Sequence, residues 1–417
     1  MTGISRRKLL IGGAGAALVG AFGTLDGLPA TAGPLGALPG PRAPLSTDVQ
    51  WITGYDTTAY VTYMHQNGYF RGCRYFVYRK SLTLGGPNYL HVYDTVTQTS
   101  FRVPDRAPDR AMVGGYLDVS RTTGLLLNAE SPTQAALDST RPRIWVYDLN
   151  EHLATGSSTW AEVYQVPVGA TIADTTASIN AAGTHIALSE LYGPPASPEI
   201  PGDQISKVVK VNIATGEREV LVERETLHNH VHFCPFDEDW IVFSREGDST
   251  LHKERVWAHH PIHAPAGANV VPQILASGQV LRLSHERASW NAATVVVVNY
   301  ENPRGVWRGF LDGSEPELIA TGRFEHCDVS RNGRFVVVDT SLTGSAMCIQ
   351  VIDTTGQIPI TTVVPDTNRG VNHPRHNHPI FSPDGRYVLF NDPDPADVNA
   401  GGLRIGIVDL QAFGYPV

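Results

Sequence analysis

The chain has 417 residues, with 32 Lys and Arg against 41 Asp and Glu and a formal net charge of −9. That balance argues against nucleic-acid binding, which needs a basic surface to replace phosphate counterions. A hydrophobic content of 42% excludes a largely disordered chain, and 40 Gly with 29 Pro against 4 Met speak against a helical bundle. Four Cys are too few for a dense disulfide framework.

In chain order, the first element is an address. Ser5-Arg6-Arg7-Lys8 stands directly before an apolar stretch, Leu9 to Phe22, that is shorter than the ~20 residues of a membrane span. With small residues at Ala30-Thr31-Ala32, residues 1–32 read as a twin-arginine export signal, implying a periplasmic or extracellular protein that crosses the membrane folded and keeps no membrane span once mature. Residues 33–46 are a Pro/Gly-rich linker, and residues 47–417 form one domain.

That domain is a run of short β-branched and aromatic segments, with no long stretch of helical period. They include Tyr75-Phe76-Val77-Tyr78, Leu125-Leu126-Leu127, His185-Ile186-Ala187-Leu188, Trp240-Ile241-Val242-Phe243, Phe335-Val336-Val337-Val338 and Tyr387-Val388-Leu389-Phe390. Turn signals such as Ser382-Pro383-Asp384-Gly385 recur, with equivalents at Arg71, Arg121, Ala181, Pro235, Trp290, Arg331 and Pro383, spaced about 41 to 60 residues apart. Seven units of that size predict an all-β fold, a seven-bladed β-propeller. The last unit lacks an outer strand after Leu410, and the segment around Trp51–Tyr55 is expected to close the ring.

Innermost propeller strands run beside the central channel. Counting five residues back from each turn gives Gln66, Tyr116, Thr176, His230, His285, His326 and His378. Four of these seven slots are His, drawn from 16 His in the chain, which is more than isolated core histidines produce. Two residues further back lie His228 and His376, on the same face if side chains alternate, and His373 is just upstream. His373, His376 and His378, completed across the channel by His285, form a candidate site for one divalent ion. Clustered imidazoles favour manganese, zinc or another transition metal over calcium. His259-His260-Pro261-Ile262-His263 reads as a solvated surface loop.

Three segments then resemble the oligogalacturonate lyases, a family of seven-bladed polysaccharide lyases. They are His230-Val231-His232-Phe233-Cys234-Pro235 with Phe243-Ser244-Arg245-Glu246-Gly247; Ser284-His285-Glu286; and Asn372-His373-Pro374-Arg375-His376-Asn377-His378, with Thr215-Gly216-Glu217 on a preceding hairpin. The resemblance covers roughly residues 205–410. It implies that His230 is the catalytic base and that His285, His376 and His378 hold manganese. The family's fourth ligand, a Gln, falls on His373; its substrate-binding Arg falls on Lys207, and its His-Glu-Gly is Arg245-Glu246-Gly247 here.

The implied reaction is β-elimination on a uronate glycan, an acidic oligosaccharide or polysaccharide of galacturonate or a related glucuronate. It takes the proton on carbon 5, beside the carboxylate, and expels the oxygen on carbon 4, leaving an unsaturated uronate. A cation must neutralise the carboxylate and a group of near-neutral pKa must take the proton. His230 suits the base and Lys207 the charge; Tyr116 or water protonates the leaving oxygen. His228, His232, Arg245, His326 and Gln66 line the expected substrate pocket. Other classes stay open at this point: a non-catalytic scaffold propeller with a structural metal, a metallo-hydrolase, or a copper oxidoreductase.

Overall fold

A computed structural model describes residues 48–416 apart from 64, 107–115, 131–140, 174–176, 194–203, 247–252 and 341–346. The expected export signal and the whole linker lie outside the described residues. Within them, seven antiparallel sheets follow one another along the chain. Blade 1 is built on Tyr69–Phe70, Tyr75–Ser81, Asn88–Asp94 and Thr99–Arg102, with Ala59–Val61 also paired to Tyr75–Ser81. Blade 2 runs from Tyr116–Val119 to Ala161–Gln165, and blade 3 from Ala170–Ile172 and Ser178–Ile179 to Arg218–Arg224. Blade 4 spans His228–Phe233 to Ala264–Asn269, blade 5 Leu283–Ala288 to Glu317–Thr321, and blade 6 Phe324–Val329 to Thr361–Thr367.

Blade 7 takes three strands from the C-terminal end, Ile380–Phe381, Tyr387–Pro393 and Leu403–Asp409. Its fourth is Gln50–Trp51, paired with Ile407 and Gly406. The segment expected to close the ring does so, and Ile52 continues the ladder by donating to the Ile405 carbonyl at 2.9 Å.

Strands such as Thr294–Asn299 and Phe335–Thr340 are buried along their whole length. Their near-continuous apolar sequence follows from the architecture, because each blade is covered on both faces by its neighbours. Seven apolar clusters fill the seven junctions between consecutive blades, including the one between blades 7 and 1. One helix, Leu149–Thr155, interrupts blade 2; Asp148 caps its start by accepting from Glu151 N–H. Among the described residues no helix is long and apolar enough to cross a membrane. All four cysteines are free.

The turn positions used to align the sequence fall just after the innermost strands, so the register holds. It places the histidine slots at the opposite face of the disc. There the second strand of each blade ends and the third begins.

Candidate active site and metal centre

The histidine slots are marked by irregular backbone. The innermost strands of blades 4, 5 and 6 each slip register by one residue, between Asn229 and His232, Ser284 and Arg287, and Phe324 and Cys327. His230, His285 and His378 adopt left-handed φ values of 52°, 53° and 43°. This conformation costs energy for a residue with a Cβ and collects at functional sites. Each bulge turns the slot residue into the channel.

Two adjoining clusters result. In the first, His230 is buried with Nδ1 3.0 Å from Glu286 Oε1. Arg255 holds both neighbouring carboxylates, with Nε 3.3 Å from Glu286 Oε2 and a terminal nitrogen 2.9 Å from Glu246 Oε2. Burial alone would raise Glu286, but Arg255 and then His230 outweigh it and hold the carboxyl at about 2. Burial likewise acts to raise Glu246, and Arg255 and His230 pull it below its ordinary value. A terminal nitrogen of Arg255 also stands 3.2 Å from His230 Nδ1; with Glu286 accepting at Nδ1, the ring proton sits there and the lone pair is left on Nε2, 3.8 Å from Glu246 Oε1. His65 stacks on the His230 ring at 4.1 Å between centroids, and Tyr63 packs against it at 5.6 Å. Burial, followed by the charge of Glu246, pushes the Tyr63 phenol well above its ordinary value, so it stays protonated.

The second cluster lies on the far side of Tyr63, whose ring is 4.9 Å from His378 and 5.6 Å from His373. His326, His376 and His378 offer ligand nitrogens within 4.8 Å of one another. His326 Nε2, His376 Nδ1 and His378 Nε2 are buried without a hydrogen-bond partner. Burial, then the neighbouring imidazoles, lowers His376 to about 3 and His378 well below its ordinary value; the same causes lower His326. These rings are therefore neutral, each with one buried nitrogen that no other group engages, while the second nitrogen of His376 faces Arg369 at 3.4 Å. His326 is further oriented by Asp339, which accepts from its Nδ1 at 2.8 Å, the carboxylate–imidazole pairing that commonly aims a ring at a metal. His285 lies 4.4 Å from His326, and His373 lies 4.3 Å from His376.

Neutral imidazoles with orphaned nitrogens this close fit a divalent transition ion. Nitrogen ligands bound at ~2.1 Å stand about 3–4 Å apart, so a small inward movement closes the set. His326, expected only in the substrate pocket, thus joins the metal candidates, while His285 and His373 flank the trio.

Other expectations change. His228 packs into the junction of blades 3 and 4, with Nδ1 2.8 Å from Ser206 Oγ and its ring 4.8 Å from Phe243. The bulge at the next two residues breaks the strand alternation that put it beside His230. His232 is a strut: its Nδ1 reaches the His230 carbonyl at 2.6 Å, and its Nε2 accepts from Ala288 N–H at 3.2 Å. Gln66 is buried and donates to the Ala177 carbonyl. Among the described residues between Val61 and Tyr69 there is no regular strand, so fixed counting slips, and it is His65 that packs on the His230 ring. Thr176 lies outside the described residues.

Lys207 belongs to the third strand of its blade, Ile205–Asn212, where its ammonium pairs with Glu223 at 2.9 Å. The guanidiniums beside the histidine rings include Arg255, 3.2 Å from His230 Nδ1, and Arg369, 3.4 Å from His376 Nε2 and paired with Glu325, while Arg287 donates to the His65 carbonyl at 2.6 Å. Arg245 ends its strand, bonded to Glu254 at 3.2 Å, with a buried Nε left unpartnered. Tyr116 stands on the innermost strand of blade 2 opposite Ala129; the phenols at the histidines are Tyr63, in ring contact with His230 and His378, and Tyr300, whose hydroxyl is 2.8 Å from His285 Nδ1.

His259 and His260 are buried on the third strand of blade 4 and not in a surface loop. Asp237, Asp239 and His260 form a further compact group. There, His260 Nδ1 already accepts two backbone N–H groups, from Ile262 and His263, which leaves its proton on Nε2 facing Asp237. That arrangement closes a turn.

Tyr63, His65, Glu286, Arg255, Arg369 and Asp339 were not singled out from sequence. Tyr63 and His65 sit within three residues of the Gln66 slot, and Glu286 follows His285 directly. A window of one residue around each slot would have found His65 and Glu286. Arg255 and Arg369 come from outside the innermost strands, where the repeat gives no signal.

No protein-family model matches the sequence, and no curated protein matches it. Among solved structures the fold is similar to an oligogalacturonate lyase in complex with manganese, with a TM-score of 0.69 and 19% identity over 88% of this chain and 94% of that one. An oligogalacturonate lyase from Vibrio parahaemolyticus aligns with a TM-score of 0.67 and 18% identity over 87% and 93%. A puromycin hydrolase aligns less well, with a TM-score of 0.51 and 10% identity, over 85% of this chain but 51% of that one. At these identities the likeness establishes the shared propeller fold.

Proposed function

We propose that the chain is a metal-assisted lyase that cleaves a uronate-containing glycan by β-elimination. The observation that carries this reading is the pairing of a carboxylate-backed imidazole, His230, with an adjoining trio of neutral imidazoles that each keep one buried nitrogen without a partner. His326, His376 and His378 would hold a divalent ion, with His285 and His373 able to complete its coordination. Such an ion supplies the positive charge that a uronate carboxylate needs before its neighbouring proton becomes acidic. Manganese is the proposed ion, with zinc or another transition metal as alternatives.

His230 takes the carbon-5 proton on Nε2, while Glu286 stabilises the imidazolium through Nδ1, as a carboxylate does for the histidine of a hydrolytic triad. Arg255 keeps Glu286 ionised and oriented, and Arg369 offers a second cation beside His376. Similarity in fold to oligogalacturonate lyases supports the reaction class. A hydrolase built on the same propeller has the alternative of adding water across the bond, which leaves no double bond.

The test is the ultraviolet absorbance of the conjugated unsaturated uronate when the metal-loaded protein meets uronate oligomers. Reducing ends released with no such absorbance would replace elimination by hydrolysis. The twin-arginine start extends the proposal to export of a folded, metal-loaded chain. Fractionation of cells expressing the full chain and an Arg6→Lys, Arg7→Lys variant checks it: only the former should leave the cytoplasm.

A further inference from the structure

β-Elimination has two stereochemical forms. When the carbon-5 proton and the carbon-4 oxygen lie on opposite faces of the sugar ring, as in galacturonate, base and acid must stand on opposite sides of the substrate. When both lie on one face, as in glucuronate and mannuronate, base and acid must stand together. Each group must come within about 3 Å of the atom it serves. A pyranose ring held between a separated acid and base therefore keeps them out of contact with each other.

His230 and Tyr63 are in contact, with ring centroids 5.6 Å apart and planes inclined by 43°. Glu286 lies 3.0 Å and Glu246 3.8 Å from His230 nitrogens. Rings in contact leave no room for a sugar between them, so the imidazole and the phenol serve one side of a bound residue. Tyr63 is also in ring contact with His373 and His378, so it stands where a carboxylate bound at the imidazole trio would present carbon 4 and carbon 5.

Resting on the lyase reading above, we infer that Tyr63 is the proton donor to the leaving oxygen, and that the substrate is a uronate whose reacting proton and leaving oxygen share one face, a gluco- or manno-configured uronate. His230 Nε2 takes the carbon-5 proton, and the pair of electrons left behind forms the carbon 4–carbon 5 double bond. The carbon 4–oxygen bond breaks, and that oxygen takes the proton of Tyr63. The phenolate recovers a proton from the adjacent His230 imidazolium, so both groups return to their starting state with no other reagent.

The experiment compares oligoglucuronate, oligomannuronate and oligogalacturonate as substrates for the metal-loaded protein and for Tyr63→Phe, read by the absorbance of the unsaturated product. The wild type should favour the first two by about 10²-fold or more in kcat/KM, and Tyr63→Phe should lose about 10²-fold in kcat with metal content unchanged. Preference for oligogalacturonate overturns the one-face assignment while leaving the lyase reading standing. Wild-type turnover by Tyr63→Phe overturns the role of Tyr63. No unsaturated product from any of the three overturns the lyase reading and this inference with it. Should Tyr63→Phe fold poorly, the substrate preference of the wild type still decides the stereochemistry.

Discussion

His230 and His232 are two residues apart, both buried, and opposite in what they do. Glu286 backs His230 at Nδ1 and leaves its Nε2 3.8 Å from Glu246; His232 uses both nitrogens on backbone groups. His230→Ala should therefore retain fold and metal and lose turnover by about 10²–10⁴-fold, the usual share of general-base catalysis. His232→Ala should instead lower stability by about 1–3 kcal/mol, because it strands the Ala288 N–H in the core. Chemical denaturation and initial rates on both variants separate the two. A His230→Ala protein that turns over at the wild-type rate would end the assignment of the base.

The metal set makes a second residue-scale prediction. His376→Ala and His326→Ala should each lose most of the bound metal, since removing one of few ligands opens the site. Asp339→Asn should weaken binding by about 10-fold or more, through His326 alone. Elemental analysis of purified protein reads all three directly. Full occupancy in His326→Ala would return the fourth position to His285 or His373.

Blade geometry explains what the sequence reveals and what it hides. The innermost strands of blades 2, 4 and 6 share a second slot, three residues before the turn, whose side chain reaches the next blade. Asp118 accepts from Ile179 N–H at 2.9 Å, His232 from Ala288 N–H at 3.2 Å, and Asp328 from Phe381 N–H at 2.8 Å. These are equivalent backbone groups in blades 3, 5 and 7, so the repeat that aligned the histidines also sets a ring of struts. The seven units, their order and the closing strand were legible because turn residues and apolar runs recur with little noise. Bulges are not: a one-residue slip changes which side chains face the channel and leaves no mark in the apolar pattern. That is why His228 and His326 both read as pocket residues in the sequence, and counting from a hairpin is why Lys207 lands on Glu223.

The struts carry a pH signature. Burial raises Asp118 from 3.8 to about 6, against the three hydrogen bonds it accepts from Ile179, Ser178 and Val119. The folded state thus holds its proton more tightly than the unfolded chain does. This contribution to stability is complete below about pH 4 and is lost as pH rises through about 6, amounting to roughly 3 kcal/mol. In metal-free protein, Asp118→Asn should melt with a flatter dependence over that window, whatever its absolute loss. An unchanged difference from wild type at every pH would show that Asp118 does not titrate there.

At the scale of the whole molecule, the ring is closed by a clasp that also touches the site. Arg404 of blade 7 lies over Trp51 at 3.2 Å and over Tyr55 at 4.1 Å, pairing with Asp392 at 2.9 Å. Gly402 sits so close to this segment that an added Cβ would lie 1.8 Å from the Tyr55 carbonyl oxygen. Nearby, Asn391 joins the two ends of the ring: its Oδ1 accepts from Val61 N–H at 2.9 Å, and its Nδ2 donates to the His376 carbonyl at 3.2 Å. Val61 leads directly to Tyr63 and His65, so one amide spans the blade 1 segment that carries them and the loop that carries His376. Forcing the clasp open should loosen both. Gly402→Ala must move backbone against backbone, and should cost about 1–3 kcal/mol or more. Its metal affinity and turnover should fall together with its melting temperature, unlike His232→Ala, whose strut joins blades 4 and 5 away from the seam. Thermal melts in parallel with metal titration test the coupling. A Gly402→Ala protein that melts early yet binds metal as tightly as wild type would show that closure stabilises the ring without holding the site.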